Sequence, residues 1–187
     1  MKQLQSEGLT PLDRDSQHLA TLAHWAAMSG NVEILNFLQE EAQMSIEMRD
    51  RYGQTPLHVA CAAGTQPATA LHLLEKGADA HLRDYLGGWT PLHAAARGGD
   101  AVTAEALCKA GVDVDAVADD GNTPLHRACA WCRPAVVEVL LQAGANRTMM
   151  NKAGRTALQD VGAGRSVGTE EKNAIVRSFH QNYVVNP

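Results

Sequence analysis

The chain has 187 residues, of which 45% are hydrophobic, 20% are charged and only 4% are aromatic, and its formal net charge is −5 at pH 7. This balance is typical of a soluble domain or a short array of repeats. Two features of the sequence argue against membranes and nucleic acids as partners. No run approaches the roughly 18 apolar residues of a membrane span. No basic cluster of the kind that follows nucleic-acid phosphates is present either.

The N-terminal residues and the cysteines indicate in which cellular compartment the protein resides. Residues 1–15 lack the apolar stretch of a signal peptide, and we interpret them as a flexible N-terminal extension. The chain has four cysteines, which without a secretory signal are typical of free thiols in a reducing compartment. We therefore expect a cytoplasmic protein, with a nuclear location as the alternative, that is a monomer and binds neither membranes nor nucleic acids.

After this extension the chain repeats itself. The motif TPLH begins at Thr55, Thr90 and Thr123, at spacings of 35 and 33 residues. Weaker copies, TLAH and TALQ, begin at Thr21 and Thr156. A second marker recurs with the same period at the glycines Gly77, Gly111 and Gly144. Because two markers share one period, we predict an array of about five similar units.

The second unit shows how each one is built. In GQTPLHVACAAG, Thr55 can cap a helix through its hydroxyl, and Pro56 suits the first helical position, where its missing N–H costs nothing. Gly64 can adopt the left-handed conformation that ends a helix. In the following PATALHLLEKG we predict a second helix with Leu71 and Leu74 facing inward. A helix pair of this size buries its apolar face only by stacking on its neighbours.

The C-terminal unit differs from the others. After TALQ the chain continues through the glycine-rich GAGRSVG to TEEKNAIVRSFHQ. Thr169 can cap a final helix, and the acidic residues Glu170 and Glu171 suit its positive end. Ile175 and Phe179 form an apolar pair four residues apart. We predict that this helix covers the apolar end of the array and that residues 181–187 form a tail.

The pattern G-x-TPLH-x-A…G…LL-x-GAD resembles the ankyrin-repeat family over residues 17–180. The resemblance implies an all-α solenoid of about five stacked helix-turn-helix units with hairpin-like loops, the outer two units acting as caps. Two departures stand out, since the hairpin DYLGGWT is one residue longer than usual and Cys132 stands where a helix-ending glycine belongs. The implied repeats are 17–49, 50–83, 84–117, 118–150 and 151–180.

One stretch, GNTPLHRACAWC, has the residue types of a metal or redox site in His126, Cys129 and Cys132. Against the repeat, however, Cys129 aligns with small packing residues and Cys132 with the helix-ending glycine, so we predict structural roles for both. The aligned histidines lie one repeat apart and cannot converge on one metal. The resemblance implies that they tie loops to helices; they are His24, His58, His93 and His126.

The remaining candidates lie on the surface, because stacked repeats present an extended face of hairpin tips and first helices. In ankyrin-like proteins the variable positions precede the TPLH motif or lie late in the first helix. We expect Tyr85, Leu86 and Trp89 to share one exposed tip and to anchor a partner, whereas Trp131 is left open between interface and packing. The predicted partner-binding residues are Tyr52, Gln54, Tyr85, Leu86, Trp89, Arg97, Asp119, Asp120, Asn122, Trp131 and Arg155.

The sequence shows no paired carboxylates, activated nucleophile or metal triad that this fold could gather into a pocket. It therefore predicts a non-catalytic protein–protein interaction module, a scaffold or adaptor, that binds a protein partner and needs no cofactor or metal. One alternative is a regulatory or inhibitory subunit that docks on an enzyme. Another is a metal or redox protein that uses Cys129 and Cys132.

Overall fold

The computed structural model describes residues 21–64, 66–164 and 168–181. The predicted N-terminal extension and all but the first residue of the predicted tail lie outside the described residues. Within them the chain forms nine α-helices, one 3₁₀ helix and a single isolated β-bridge between Met150 and Thr156. The predicted all-α class is therefore confirmed.

Four units each contribute a first and a second helix, and a fifth unit closes the array. The first helices are α1 (Leu22–Ser29), α3 (Pro56–Ala63), α5 (Pro91–Gly98) and α7 (Pro124–Ala130). The second helices are α2 (Val32–Glu40), α4 (Pro67–Glu75), α6 (Ala101–Lys109) and α8 (Pro134–Gln142). The fifth unit consists of the 3₁₀ helix η1 (Ala157–Asp160) and α9 (Thr169–Gln181).

Helix α3 begins with the capping chemistry that its sequence predicts. The hydroxyl of Thr55 accepts a hydrogen bond from the backbone N–H of His58, and the ring Nδ1 of His58 accepts one from the backbone N–H of Thr55. Pro56 occupies the first helical position. Gly64 ends the helix with a φ of 65°. The predicted start and stop of this helix are confirmed.

The first helices stack directly on one another, with α3 between α1 and α5 and with α7 on the far side of α5. Their contact faces carry small side chains such as Ala60 and Ala95, which are 3% and 0% exposed. The backbones approach so closely that a Cβ at Gly98 would lie 2.7 Å from the carbonyl oxygen of Cys61. Only glycine fits at that position.

The second helices form the other layer, in which α2, α4, α6 and α8 are successive neighbours. On α4 the buried residues are Thr69, Ala70 and Leu73, whereas Leu71 and Leu74 are only half-buried. The predicted inward position is confirmed for Leu74, which packs against the core, and was wrong for Leu71; Leu73 is the fully buried leucine of this helix. Helix α4 packs against both α3 and α6, so its buried face is turned toward Leu73.

The fifth unit closes the stack with a shortened first element. Helix η1 packs against α7 where a full first helix would lie, and α9 packs against α8. Ile175 and Phe179 are 0% and 6% exposed, which confirms the predicted apolar pair. Arg147 adds a hydrogen bond of 2.8 Å from Nη1 to the carbonyl oxygen of Phe179. Thr169 is the first residue of α9, so its predicted capping position was wrong by one residue.

Candidate protein-binding face

Buried histidines hold each hairpin tip against the first helix of the preceding unit. The ring Nδ1 of His93 accepts from the backbone N–H of Thr90, and its Nε2 lies 3.1 Å from the carbonyl oxygen of Asn122. Because a carbonyl can only accept, Nε2 carries the proton. Burial lowers the pKa of His93 to about 4, so the ring is neutral at pH 7. His24, His58 and His126 bond in the same way to the carbonyls of Gln54, Trp89 and Arg155. The predicted tying role of these histidines is confirmed.

Neighbouring tips are also joined edge to edge through their backbones. The backbone N–H of Tyr85 donates to the carbonyl oxygen of Tyr52 at 2.7 Å, and that of Asp119 donates to the carbonyl oxygen of Gly87 at 2.8 Å. The N–H of Lys152 donates to the carbonyl oxygen of Asp120 at 3.1 Å. The tips therefore form one continuous surface with the exposed sides of the first helices. We call this surface the tip face; it comprises residues 50–54, 84–89, 118–122 and 151–155 and the exposed sides of α1, α3, α5 and α7.

The tip of the third repeat is one residue longer than that of the second. The backbone N–H of Asp84 bonds to the carbonyl of Trp89, five residues on, whereas Asp50 bonds to Gln54, four residues on. Gly88, with a φ of 67°, corresponds to the left-handed Gly53 of the second tip, with a φ of 74°, so the extra residue lies before it. The predicted lengthening is confirmed, and it leaves a larger loop facing solvent.

Tyr85 and Leu86 lie at the outer edge of this longer tip and are 70% and 58% exposed. The Tyr85 ring rests on the preceding tip, where a Cβ at Gly53 would lie 2.5 Å from the ring. The guanidinium of Arg49 lies 5.3 Å from the ring centroid. One side of the Tyr85 ring therefore packs against the preceding tip, while most of its surface is exposed to solvent.

Trp89 has different surroundings from its two neighbours. It is half-buried, and the guanidinium of Arg127 on α7 lies 4.0 Å from its ring centroid. Arg127 also forms an ion pair of 2.8 Å with Asp120. Burial on its own raises the pKa of Asp120, but hydrogen bonds from Asn122 and the charge of Arg127 lower it overall. The expectation of three exposed apolar groups on one tip was therefore wrong for Trp89, because a planar guanidinium covers its ring.

A second tryptophan–arginine stack lies beside the first. The guanidinium of Arg97, at the end of α5, lies 4.9 Å from the ring centroid of Trp131, at the end of α7. On the fifth unit, a Cβ at Gly164 would lie 3.0 Å from the indole ring. Trp131 is half-buried, so it packs against the fifth unit and still contributes surface to the tip face.

The C-terminal tips are linked by a chain of polar side chains. Asn151 donates from Nδ2 to Oδ1 of Asn122 and to Oδ2 of Asp160, at 2.8 Å each. The buried Asp160 carboxylate also forms an ion pair with Arg155, which is exposed. The predicted residues Asn122 and Arg155 are thus fixed by intramolecular contacts.

The other predicted residues are spread along the face. Tyr52 is half-buried, with the guanidinium of Arg51 5.0 Å from its ring centroid. Gln54 donates to Asp84 at 3.4 Å, and Asp119 lies 3.8 Å from Arg83. The predicted set therefore does not form one patch; it divides into the exposed Tyr85–Leu86 edge, the two tryptophan–arginine stacks, and polar groups between them.

A family model described as ankyrin repeats in three copies matches residues 2–84 and 66–151 of the chain. The chain belongs to the ankyrin-repeat family. Ankyrin repeats are generally protein–protein interaction modules, and the family is generally non-catalytic. Within the described ranges, no helix has both the length and the apolar character needed to cross a bilayer.

Three proteins illustrate the similarity. The chain is 39% identical over 112 residues to ankyrin repeat and SOCS box protein 16 of Mus musculus, covering 56% of the chain and 24% of that protein. It is 33% identical over 162 residues to neurogenic locus notch homolog protein 1 of Xenopus laevis, covering 81% of the chain and 6% of that protein. It is 32% identical over 148 residues to human SH3 and multiple ankyrin repeat domains protein 2, covering 79% of the chain and 8% of that protein. The chain thus matches about a quarter or less of the length of each of these relatives.

Sequence reasoning missed Arg127, which stacks on Trp89 and pairs with Asp120 on the ankyrin tip face. The signal was present in the repeat itself. The residue after the TPLH-like motif is Trp25, Val59 or Ala94 in the first three repeats, and Arg127 in the fourth. A charged residue at a position that is apolar in the three preceding repeats indicates a local role that the repeat does not require.

The cysteine pair lies inside the stack. Cys129 and Cys132 are 0% and 2% exposed, and Cys132 has a φ of 48°, close to the φ of 65° at Gly64. Burial raises the pKa of the Cys129 thiol, which disfavours the thiolate that metal binding or redox chemistry requires. Among the described residues, no group of three or more His, Cys, Asp or Glu side chains could hold a metal ion. The positions assigned to both cysteines from the repeat are confirmed.

Proposed function

We propose that this ankyrin-repeat chain is a non-catalytic scaffold or adaptor that binds a protein partner on its tip face. The observation that carries this proposal is the exposed pair Tyr85 and Leu86, which are 70% and 58% exposed in a tip whose backbone is bonded on both sides. Adjacent exposed apolar side chains mark interaction sites more often than isolated ones do. Because the tip is already ordered, it loses little conformational entropy when a partner docks on it.

The residues around this pair support the same function. The tip face combines tyrosine, tryptophan and arginine side chains, which are the types enriched at the energetic centres of protein interfaces. Asp119 and Arg83 lie next to the exposed pair and provide a polar rim. A stack of repeats presents these groups along an extended surface, which suits a protein segment better than a small molecule.

The proposal is tested by photocrosslinking from two sites of matched exposure. Leu86, on the tip face, is 58% exposed, and Val102, on α6, is 53% exposed. Each is replaced separately by p-benzoylphenylalanine in the full chain, and adducts formed in an extract of the source cells are identified by mass spectrometry. We expect a discrete protein adduct from position 86 that position 102 does not give.

Identical adducts from both positions, or an adduct from position 102 alone, would contradict the proposal. A captured protein is then purified and its binding to the chain is measured directly. If it is an enzyme, its activity with and without the chain distinguishes a regulatory or inhibitory subunit from an adaptor.

A further inference from the structure

A small cavity opens at the C-terminal half of the tip face, between α7 and the fifth unit. Its volume is about 220 Å³, and its walls include Arg127, Trp131, Arg155 and Asp160. Sites for drug-sized molecules usually measure about 300–1,000 Å³. A cavity of this size is better suited to one side chain of a larger partner.

Arg127 lines this cavity and has one hydrogen-bond donor without a partner. Its Nη2 reaches Asp120 at 2.8 Å and its guanidinium stacks on Trp89, but its Nε is buried without a hydrogen-bond partner. A buried polar group without a partner costs roughly 1–3 kcal/mol. Burial also lowers the pKa of Arg127, and the nearby charge of Arg97 lowers it further. A negative charge placed in the cavity would stabilise the charged guanidinium of Arg127.

Arg97 supplies a second positive charge beside the cavity. It is exposed and stacks on Trp131, and within the described part of the chain it forms no ion pair with a carboxylate. Arg133 adds another guanidinium nearby, since its Nε donates to the carbonyl oxygen of Arg97 at 3.0 Å. These groups form a locally positive region on a chain whose net charge is −5.

We propose that this region receives an acidic side chain, Asp or Glu, from the bound segment of the protein partner, held by Arg97 and Arg127. The inference rests on the proposed function, because the segment must lie on the tip face. The guanidiniums of Arg127 and Arg97 lie over indole rings, at 4.0 and 4.9 Å from the ring centroids, and a planar guanidinium matches a carboxylate through two parallel hydrogen bonds.

The carboxylates already present favour a singly charged ligand. Asp120 is paired with Arg127, and Asp160 is paired with Arg155 on the cavity wall. A phosphate with two negative charges would be repelled by both. A carboxylate carries one charge and needs one additional cationic partner, which Arg97 provides.

The inference is tested with peptides of defined sequence. Random 12-residue peptides displayed on phage are selected on the full chain, and the enriched sequences are synthesised and titrated. Replacing Trp25, one of the three tryptophans, by Phe leaves Trp89 and Trp131 as the fluorescent reporters of binding. We expect an enriched Asp or Glu at one position, a change in tryptophan emission on binding, and a loss of affinity of at least tenfold when that residue is replaced by Asn or Gln.

Two arginine variants separate a specific contact from general charge attraction. Arg97→Gln removes the proposed partner, and because Arg97 is exposed the variant is expected to melt like the parent. Arg177→Gln removes an equal charge from an exposed residue on α9, away from the tip face, where Arg177 pairs with Glu170. We expect Arg97→Gln to weaken binding of the acidic peptide at least tenfold and Arg177→Gln to weaken it less than twofold.

The outcomes distinguish this inference from the proposed function. Peptides that bind without an acidic residue, or that bind Arg97→Gln as well as the parent, would overturn the acidic site while leaving the binding face in place. Equal losses in the two arginine variants would show attraction by net charge only and would also overturn it. Failure to select any peptide, together with failure of crosslinking at Leu86, would overturn the proposed function and this inference with it.

Discussion

In the third repeat, the TPLH motif and the tip that precedes it are neighbours in sequence with opposite surroundings. His93 is 0% exposed and bonds to groups in two repeats. Tyr85 and Leu86, a few residues earlier, are 70% and 58% exposed, and only one side of the Tyr85 ring is supported by the preceding tip. The motif recurs along the chain, whereas the tip residues do not. Recurring residues thus hold the stack together, and the residues that differ between repeats are the ones available for recognition.

Trp89 is an exception to this distinction. It does not recur, yet Arg127 from the next repeat covers its ring at 4.0 Å. A residue that differs between repeats is therefore available to a partner only if the next repeat leaves it open. For this reason we expect Trp89→Ala to reduce stability as well as binding, and we regard Tyr85 as the better test of recognition.

The largest expected effect is at the end of the stack, where α9 replaces a further repeat. Phe179 is 6% exposed, and Phe179→Ala should lower the free energy of unfolding by about 3–5 kcal/mol because it leaves a cavity. Val176 lies on the same helix and is 38% exposed, so Val176→Ala should cost about 0.5 kcal/mol or less. Urea unfolding of both variants measures the difference. Similar losses would show that α9 does not cap the array.

The next effect concerns the recurring histidines. His93→Ala removes both ring hydrogen bonds and leaves the carbonyl of Asn122 without this donor. The expected loss is about 1–3 kcal/mol, the range for a buried polar group left unpaired. His81 is exposed, and His81→Ala should be nearly neutral. If the two histidine variants unfold at the same urea concentration, the tying role carries little stability.

The same histidines predict how stability depends on pH. Burial lowers the pKa of His58 and lowers that of His93 to about 4. The unfolded chain therefore binds protons near pH 6.5 while the folded chain does not, so stability is complete above about pH 6.5 and declines as pH falls toward 4. For His93 alone, the expected loss between pH 7.5 and pH 5 is on the order of 1–2 kcal/mol. Urea titrations at several pH values measure this slope, which His93→Gln should make shallower. An unchanged slope would contradict the assignment.

The smallest effect is expected for the two buried cysteines of the fourth repeat. Cys132→Gly should relieve the strain of a left-handed residue with a Cβ, roughly 1–2 kcal/mol, while losing the packing of a buried sulfur. Cys129→Ala should cost little because alanine already fills the equivalent position in other repeats. The double variant should therefore melt close to the parent. A large drop in melting temperature would indicate that the pair has a role beyond packing.

The repeat period predicted most of the fold because the helices and turns of each unit depend on residues within that unit. The threonine cap, the proline after it, the closing glycine and the longer third tip all follow from residues within one unit, such as Thr55, Pro56 and Gly64. The errors arose where a neighbouring unit decides the outcome. Leu73, and not Leu71, is buried in the core because α4 packs against both α3 and α6.

The candidate site was less predictable for the same reason. Position within the repeat identified Tyr85, Leu86, Trp89 and Trp131 as surface candidates, but it could not show which rings are covered. Arg127 covers Trp89 and Arg97 covers Trp131, and both contacts join side chains from different repeats. Such contacts depend on side-chain reach between units, which sequence spacing does not specify.

The most direct test of the account is a titration of three proteins against the partner captured from position 86. These are the parent, Tyr85→Ala on the tip face, and Val102→Ala on α6, with a melting curve for each. We predict that Tyr85→Ala weakens binding by about 2 kcal/mol or more, roughly 30-fold, with little change in melting temperature, and that Val102→Ala binds like the parent. Normal binding by Tyr85→Ala, or a loss that appears only together with unfolding, would contradict the claim that the exposed tip is the recognition surface.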